Sequence, residues 1–242
     1  MHHCSRNCAE NGTHLYGNRY YSCFLQRGAN ILQFGGFGDF LSEECQTLSL
    51  PFFKTIKANG ATGVGVAVYG NRAYDDGLIE LRDIMTECQF KVAAMGAFVG
   101  EHTFSRVLGS GRPDSHDFET AKEFAAKIAT SLDAIQNNAP GLRFQEIEVP
   151  GTPYPYSGFY KATDRDKKSV DIRKVLPKTD LTKCNRCGKC IKCGACIKRC
   201  PQGAKYFDDP QYLSHLKLLE EKFTSPRKVP ELFIASLDVN LS

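Results

Sequence analysis

The sequence predicts an α/β fold: a parallel sheet with crossover helices, followed by a small cysteine-rich module. Three observations predict it. Two continuous apolar runs, Val64 to Tyr69 and Val92 to Val99, have the pattern of strands buried on both faces. Helical periodicity follows each run, so the order strand, helix, strand, helix implies parallel strands joined by crossovers. Six of the 11 cysteines fall between Cys184 and Cys200.

At 242 residues with 42% apolar content, the chain can fill one ordinary core and carry one appended module. The formal net charge of +4 is mild, and the basic residues are spread along most of the chain, which argues against nucleic acid as a partner. No stretch approaches the roughly 20 apolar residues that span a bilayer, and Met1-His2-His3-Cys4 lacks a signal-peptide core. The expected location is therefore the cytoplasm, where crowded cysteines read as metal ligands rather than disulfides.

Residues 1–45 show neither helical nor strand periodicity and form a divergent or disordered segment. Asn11-Gly12-Thr13 would be a glycosylation sequon only in a secreted chain. Cys4, Cys8, Cys23 and Cys45 are scattered, and Cys88 reads as a small hydrophobe on a buried helix face.

A first sheet-bearing domain is expected over 46–138. Phe52, Phe53 and Ile56 suggest a short helix that Asn59-Gly60 ends, and the strand at 64–69 follows. After the turn Gly70 to Tyr74, Asp75-Asp76 opens a helix, where carboxylates suit the exposed amides; Leu78, Leu81, Met85 and Cys88 mark its inner face. The strand at 91–99 runs into Gly100-Glu101-His102 and the loop Gly111-Arg112-Pro113-Asp114. Phe118, Ala121, Phe124, Ala125, Ile128, Leu132 and Ile135 then mark a long amphipathic helix. In open parallel sheets ligands bind beyond the carboxyl ends of the strands, so the loops after Tyr69 and Val99 are where a ligand is expected.

Residues 139–180, rich in proline and then in charge, read as a linker draped over one domain on its way to the next. The cysteine module occupies 181–207. In the final segment, 208–242, Asp208-Asp209-Pro210 caps a helix bearing Leu213, Leu216, Leu219 and Phe223, expected to dock back on the body.

Cys190-Ile-Lys-Cys193-Gly-Ala-Cys196-Ile-Lys-Arg-Cys200-Pro201 fits the CxxCxxCxxxCP pattern of bacterial iron–sulfur proteins at every defined position. Closely spaced thiolates on a tight loop reach three corners of a cubane, Gly194 admits close backbone approach, and Pro201 turns the chain away. Upstream, Cys184-Asn-Arg-Cys187-Gly-Lys-Cys190 opens a second run that shares Cys190 with the first. Two complete runs need eight thiolates. Six support one [4Fe–4S] cluster, held by Cys190, Cys193 and Cys196 plus one of Cys184, Cys187 or Cys200. A structural zinc site is the alternative, although zinc pairs are usually separated by a longer loop. From Lys183 to Lys205 there are seven basic residues and no acidic one, which offsets the anionic cluster and could form a docking face for an acidic redox partner.

Val68-Tyr69-Gly70-Asn71-Arg72-Ala73-Tyr74-Asp75-Asp76, Ala97 to His102, Gly111-Arg112-Pro113-Asp114 and the cysteine run together resemble the bacterial flavodoxin–ferredoxin fusion family, typical of anaerobes. The resemblance covers about residues 50–235. It implies a partial flavodoxin-like sheet whose last two strands are those at 64–69 and 91–99, and a ferredoxin-like [4Fe–4S] module. It also implies FMN as a cofactor, with Tyr69, Gly70, Asn71, Arg72, Tyr74, Gly100, Glu101 and His102 beside the flavin. Without a flavin, Tyr69 and Tyr74 are packing residues of an ordinary strand-to-helix turn. Two features depart from the family: residues 1–45 hold no TxTGxT-type phosphate loop, and the cysteine segment is shortened.

The implied function is electron transfer by a [4Fe–4S] protein that exchanges electrons with a redox partner protein and relays them to or from FMN in the flavodoxin-like domain. Its rivals are a zinc-stabilised interaction module and a defective form of such a fusion. No catalytic triad or acid–base pair is visible in the sequence.

Overall fold

The computed structural model describes residues 55–102, 105–137, 142–157, 160–172, 175–187, 197–198 and 200–239. The segment 1–45 and most of the expected helix at 52–56 lie outside them.

The described residues form a mixed α/β structure. Strand β1 (Thr62–Tyr69) and strand β2 (Lys91–Val99) pair in parallel, and helix α1 (Gly77–Glu87) is their crossover. The apolar runs end where the sequence places them, at Tyr69 and Val99. A register shift at Gly63/Val64 pairs Gly63 with Val92 but Val64 with Ala94, which lets Val92 and the alternate residues Met95, Ala97 and Val99 join one core cluster. Leu78, Leu81 and Met85 of α1 pack into that cluster with Phe90 and Ile147, and Phe144 and Val149 pack against it.

Helix α2 (Ser115–Asn137) lies near β2, its Phe124 ring 6.1 Å from Phe98. Asp114 Oδ1 accepts the amides of His116 and Asp117, while Asp117 accepts the amide of Asp114, a reciprocal cap that fixes where α2 begins. The apolar stripe of α2 is less buried than its periodicity predicts: Phe124 is buried, but Phe118 is 56% exposed and Ala125 is exposed. The described sheet is three strands wide, a floor of only about 10 Å between its outer strands, too narrow to cover the stripe of so long a helix.

The segment expected as linker contributes β3 (Leu142–Phe144) and β4 (Lys178–Thr179), and β5 (Lys205–Tyr206) follows the cysteine run. Helix α3 (Pro210–Phe223) starts at Asp209, whose carboxylate accepts the amide of Tyr212 at 2.8 Å, with Pro210 in the first turn. Two further strands carry no periodic signal in the sequence. Strand β6 (Glu231–Ile234) pairs antiparallel with β2, giving the order β1-β2-β6, and β7 (Leu237–Val239) pairs with β3. The sheet is thus mixed rather than wholly parallel, and the chain's last strands complete its first ones. No helix among the described residues is long and apolar enough to cross a membrane.

Candidate functional site

The loops after β1 and β2 lie side by side at the carboxyl ends of the two parallel strands, because the register pairs Tyr69 with Val99 and the amide of Gly100 donates to Tyr69 O at 2.8 Å. Gly70 sits where a Cβ would stand 2.8 Å from His102 Cα, so the two loops meet only because this residue has no side chain. Gly109 permits a second close approach within the β2 loop: its φ is +59°, and a Cβ there would stand 2.4 Å from Gly100 O.

Most of the side chains expected beside a flavin are turned inward. Tyr69 is 1% exposed and packs edge-on against Tyr74 with centroids 5.4 Å apart. Burial, with the nearby Glu231 carboxylate, pushes the Tyr69 phenol up to about 12. The Tyr74 hydroxyl donates to Glu231 Oε2 at 2.8 Å; burial and that acceptor raise its pKa as well. Buried Asn71 takes a φ of +65°, which asparagine tolerates better than most residues. It donates to Phe223 O at 2.7 Å and accepts the Lys228 amide at 3.1 Å, so the β1 loop is fastened to the chain leaving α3. Arg72 pairs with Asp75 and lies 4.2 Å over the Tyr160 ring. Buried His102 accepts the Ser105 amide at Nδ1, 3.3 Å away.

The loop from Glu101 to Arg112 gathers the rest of the molecule. Buried Arg112 forms a two-pronged pair with buried Asp117 and donates to Lys228 O at 3.0 Å. Ser105 Oγ donates to Glu220 of α3 at 2.6 Å. Glu101 Oε1 accepts the Gly111 amide at 3.0 Å, while its Oε2 holds Lys198 Nζ at 3.1 Å. Arg106 donates to Ile197 O at 2.8 Å. Two residues of the cysteine run are thereby attached to the loop after β2. These contacts join residues 91 and 97 positions apart, and no local sequence signal announces them.

Of the six candidate ligands, Cys184, Cys187 and Cys200 are described, and Cys190, Cys193 and Cys196 lie outside the described residues. The flanks of the run meet: Lys178 pairs with Tyr206, Thr179 with Lys205, and the Asp180 amide donates to Ala204 O at 2.8 Å. This short ladder ties the approach to Cys184 to the turn that follows Cys200. Cys200 Sγ accepts the Ala204 amide at 3.3 Å, and Gly203, at φ +58°, folds the chain back around it. The Ala204 amide, aided by those of Gln202, Lys205 and Gly203, lowers the Cys200 pKa against the opposing effect of burial. These are the groups that favour a thiolate, the form that binds metal. Among the described residues no three or more His, Cys, Asp or Glu side chains are gathered to hold a metal ion, so Cys184, Cys187 and Cys200 do not form a ligand set by themselves.

The basic residues of the run are partly occupied. Lys183 pairs with Asp180, Lys198 with Glu101, and Lys205 donates to Thr179 Oγ1, while Arg186 is exposed. Lys189, Lys192 and Arg199 lie outside the described residues. Comparison with family models, curated proteins and solved structures finds no match to this chain.

Proposed function

We propose that the chain is an electron carrier, with a [4Fe–4S] cluster held by the run from Cys184 to Cys200. The observation that carries the reading is the setting of Cys200, whose sulfur faces a turn of backbone amides just beyond a CxxCxxCxxxCP run. Amides directed at sulfur stabilise the charge of thiolates and tune the potential of an iron–sulfur centre, and this turn supplies them without a side chain. The cluster would be held by Cys190, Cys193 and Cys196 with one of Cys184, Cys187 or Cys200, and it supplies one-electron chemistry when bound. The protein's share is to hold the thiolates, exclude or admit water, and set the local charge.

The proposal extends to an FMN beside β1 and β2, whose support is location alone. The loops at 69–74 and 100–102 lie beyond the carboxyl ends of parallel strands, where such folds bind ligands. Against that, Tyr69, Asn71, Arg72 and His102 are buried among the chain's own residues. A redox partner with an acidic face is supported by exposed Arg186, between Cys184 and Cys187 of the run.

The test is anaerobic reconstitution with iron and sulfide, followed by iron, sulfide and zinc analysis and an EPR spectrum of the reduced protein. The expected result is about four irons and four sulfides per chain with a reducible cubane signal. Stoichiometric zinc in a colourless protein would replace the proposal with a zinc-stabilised module, and a chain retaining neither metal would mark a defective form.

A further inference from the structure

The geometry points to the loop after β2 as the device by which the α/β body positions the cysteine run, with Glu101 and Arg106 as its positioning residues. This inference rests on the electron-carrier reading and adds what fixes the run against the body. Glu101 uses both carboxylate oxygens, one on the Gly111 amide within its own loop and one on Lys198 Nζ, so the loop's fold and the run's placement share a single side chain. Arg106 grips the backbone of the preceding residue, Ile197, which is itself buried. Lys198 retains only 16% side-chain exposure, so water and salt screen its charge less than they would a fully exposed lysine's. Behind the two contacts, Ser105 bonds Glu220 and Arg112 bonds Lys228 O, so the gripping loop is anchored to α3 and to the chain beyond it.

In the sequence, position 197 adjoins Cys196, and position 198 stands two residues from both Cys196 and Cys200. The charges that hold them therefore act on the cluster as well as on the chain. Glu101 offsets a lysine next to the ligands, whereas Arg106 adds a positive charge there. Positive surroundings favour the reduced, more negative cluster and raise its potential. Glu101→Gln should raise the midpoint potential, and Arg106→Gln should lower it. Arg106→Lys keeps the charge and a donor and should return the potential toward that of the unsubstituted protein. Loss of a merely structural prop would not separate the two substitutions by sign.

The experiment is redox titration of the reconstituted full chain and its three variants by EPR, together with trypsin digestion of the metal-free proteins. Opposite shifts in potential, recovery in Arg106→Lys and several-fold faster cleavage after Lys198 in both glutamine variants support the positioning role. Potentials that coincide or move in the same direction overturn it, as do cleavage rates equal to that of the unsubstituted chain. If the unsubstituted chain binds no iron, the electron-carrier reading falls and takes the effect on potential with it; the digestion still decides whether the loop grips the run.

Discussion

Asn71 shows how much one side chain can decide in this molecule. Its left-handed backbone makes the turn after β1, its amide nitrogen donates to Phe223 O, and its carbonyl oxygen accepts from Lys228. Truncation would leave two backbone groups of a buried junction short of a partner, at a cost of about 1–3 kcal/mol. Asn71→Ala is expected to lower the urea midpoint by that equivalent without changing the slope, and Asn71→Asp to fall between the two because it keeps the acceptor. A variant as stable as the unsubstituted chain would show that the junction is held elsewhere. The sequence marked Asn71 as a candidate residue, yet the partners it engages are more than 150 positions away, beyond the reach of any local pattern. Asp76 behaves likewise. A carboxylate at a helix start reads as a cap, but this one makes no capping bond and accepts instead from the Thr152 amide, the Ser157 amide and the Ser157 hydroxyl, pinning the linker to α1. Burial would raise its pKa, but those donors outweigh it and hold it below the ordinary carboxylate value.

At the scale of elements, the start of α2 carries a pH dependence. Partial burial raises the Asp114 pKa, but the Asp117 amide and the Arg227 guanidinium overcome that and leave it depressed. A depressed carboxylate contributes stability that is fully present above its unfolded pKa and is lost as pH falls through the lower, folded one, so the window lies from about pH 4 downward. Melting temperatures measured from pH 6 to pH 3 should fall less steeply for Asp114→Asn, which caps a helix nearly as well but does not titrate. Parallel slopes would remove Asp114 from the account. The elements were also where the sequence spoke most plainly. Continuous apolar runs gave β1 and β2, periodicity gave α1 and α3, and Asp208-Asp209-Pro210 located the start of α3. The two-residue β4 and β5 and the short β6 and β7 carry too few residues for a period to emerge, and they exist because their pairing partners do.

For the whole molecule, the decisive feature is that the chain closes on itself. β6 supplies the third strand of the sheet, Tyr74 bonds Glu231 across that closure, and Ala235 belongs to the same core cluster as Leu78 and Met85. A chain ending at Pro230 would expose one edge of β2 and some of that core, so it is expected to lose cooperative unfolding even though β1, α1, β2 and α2 remain intact in sequence. Calorimetry of the shortened chain checks this, and a sharp transition at the full-length temperature would refute it.

The sequence by itself determined the α/β class and the long elements, and it marked the cysteine run as the place to look for metal ligands, because hydrophobic period and cysteine spacing are properties of neighbouring residues. Only the tertiary structure decided that the sheet is mixed, that the loop beside β1 is fastened by the chain leaving α3, and that Glu101 and Arg106 grip the cysteine run. Those outcomes depend on which distant groups can satisfy buried donors, acceptors and strand edges, and such pairings form only once the core has brought their partners together.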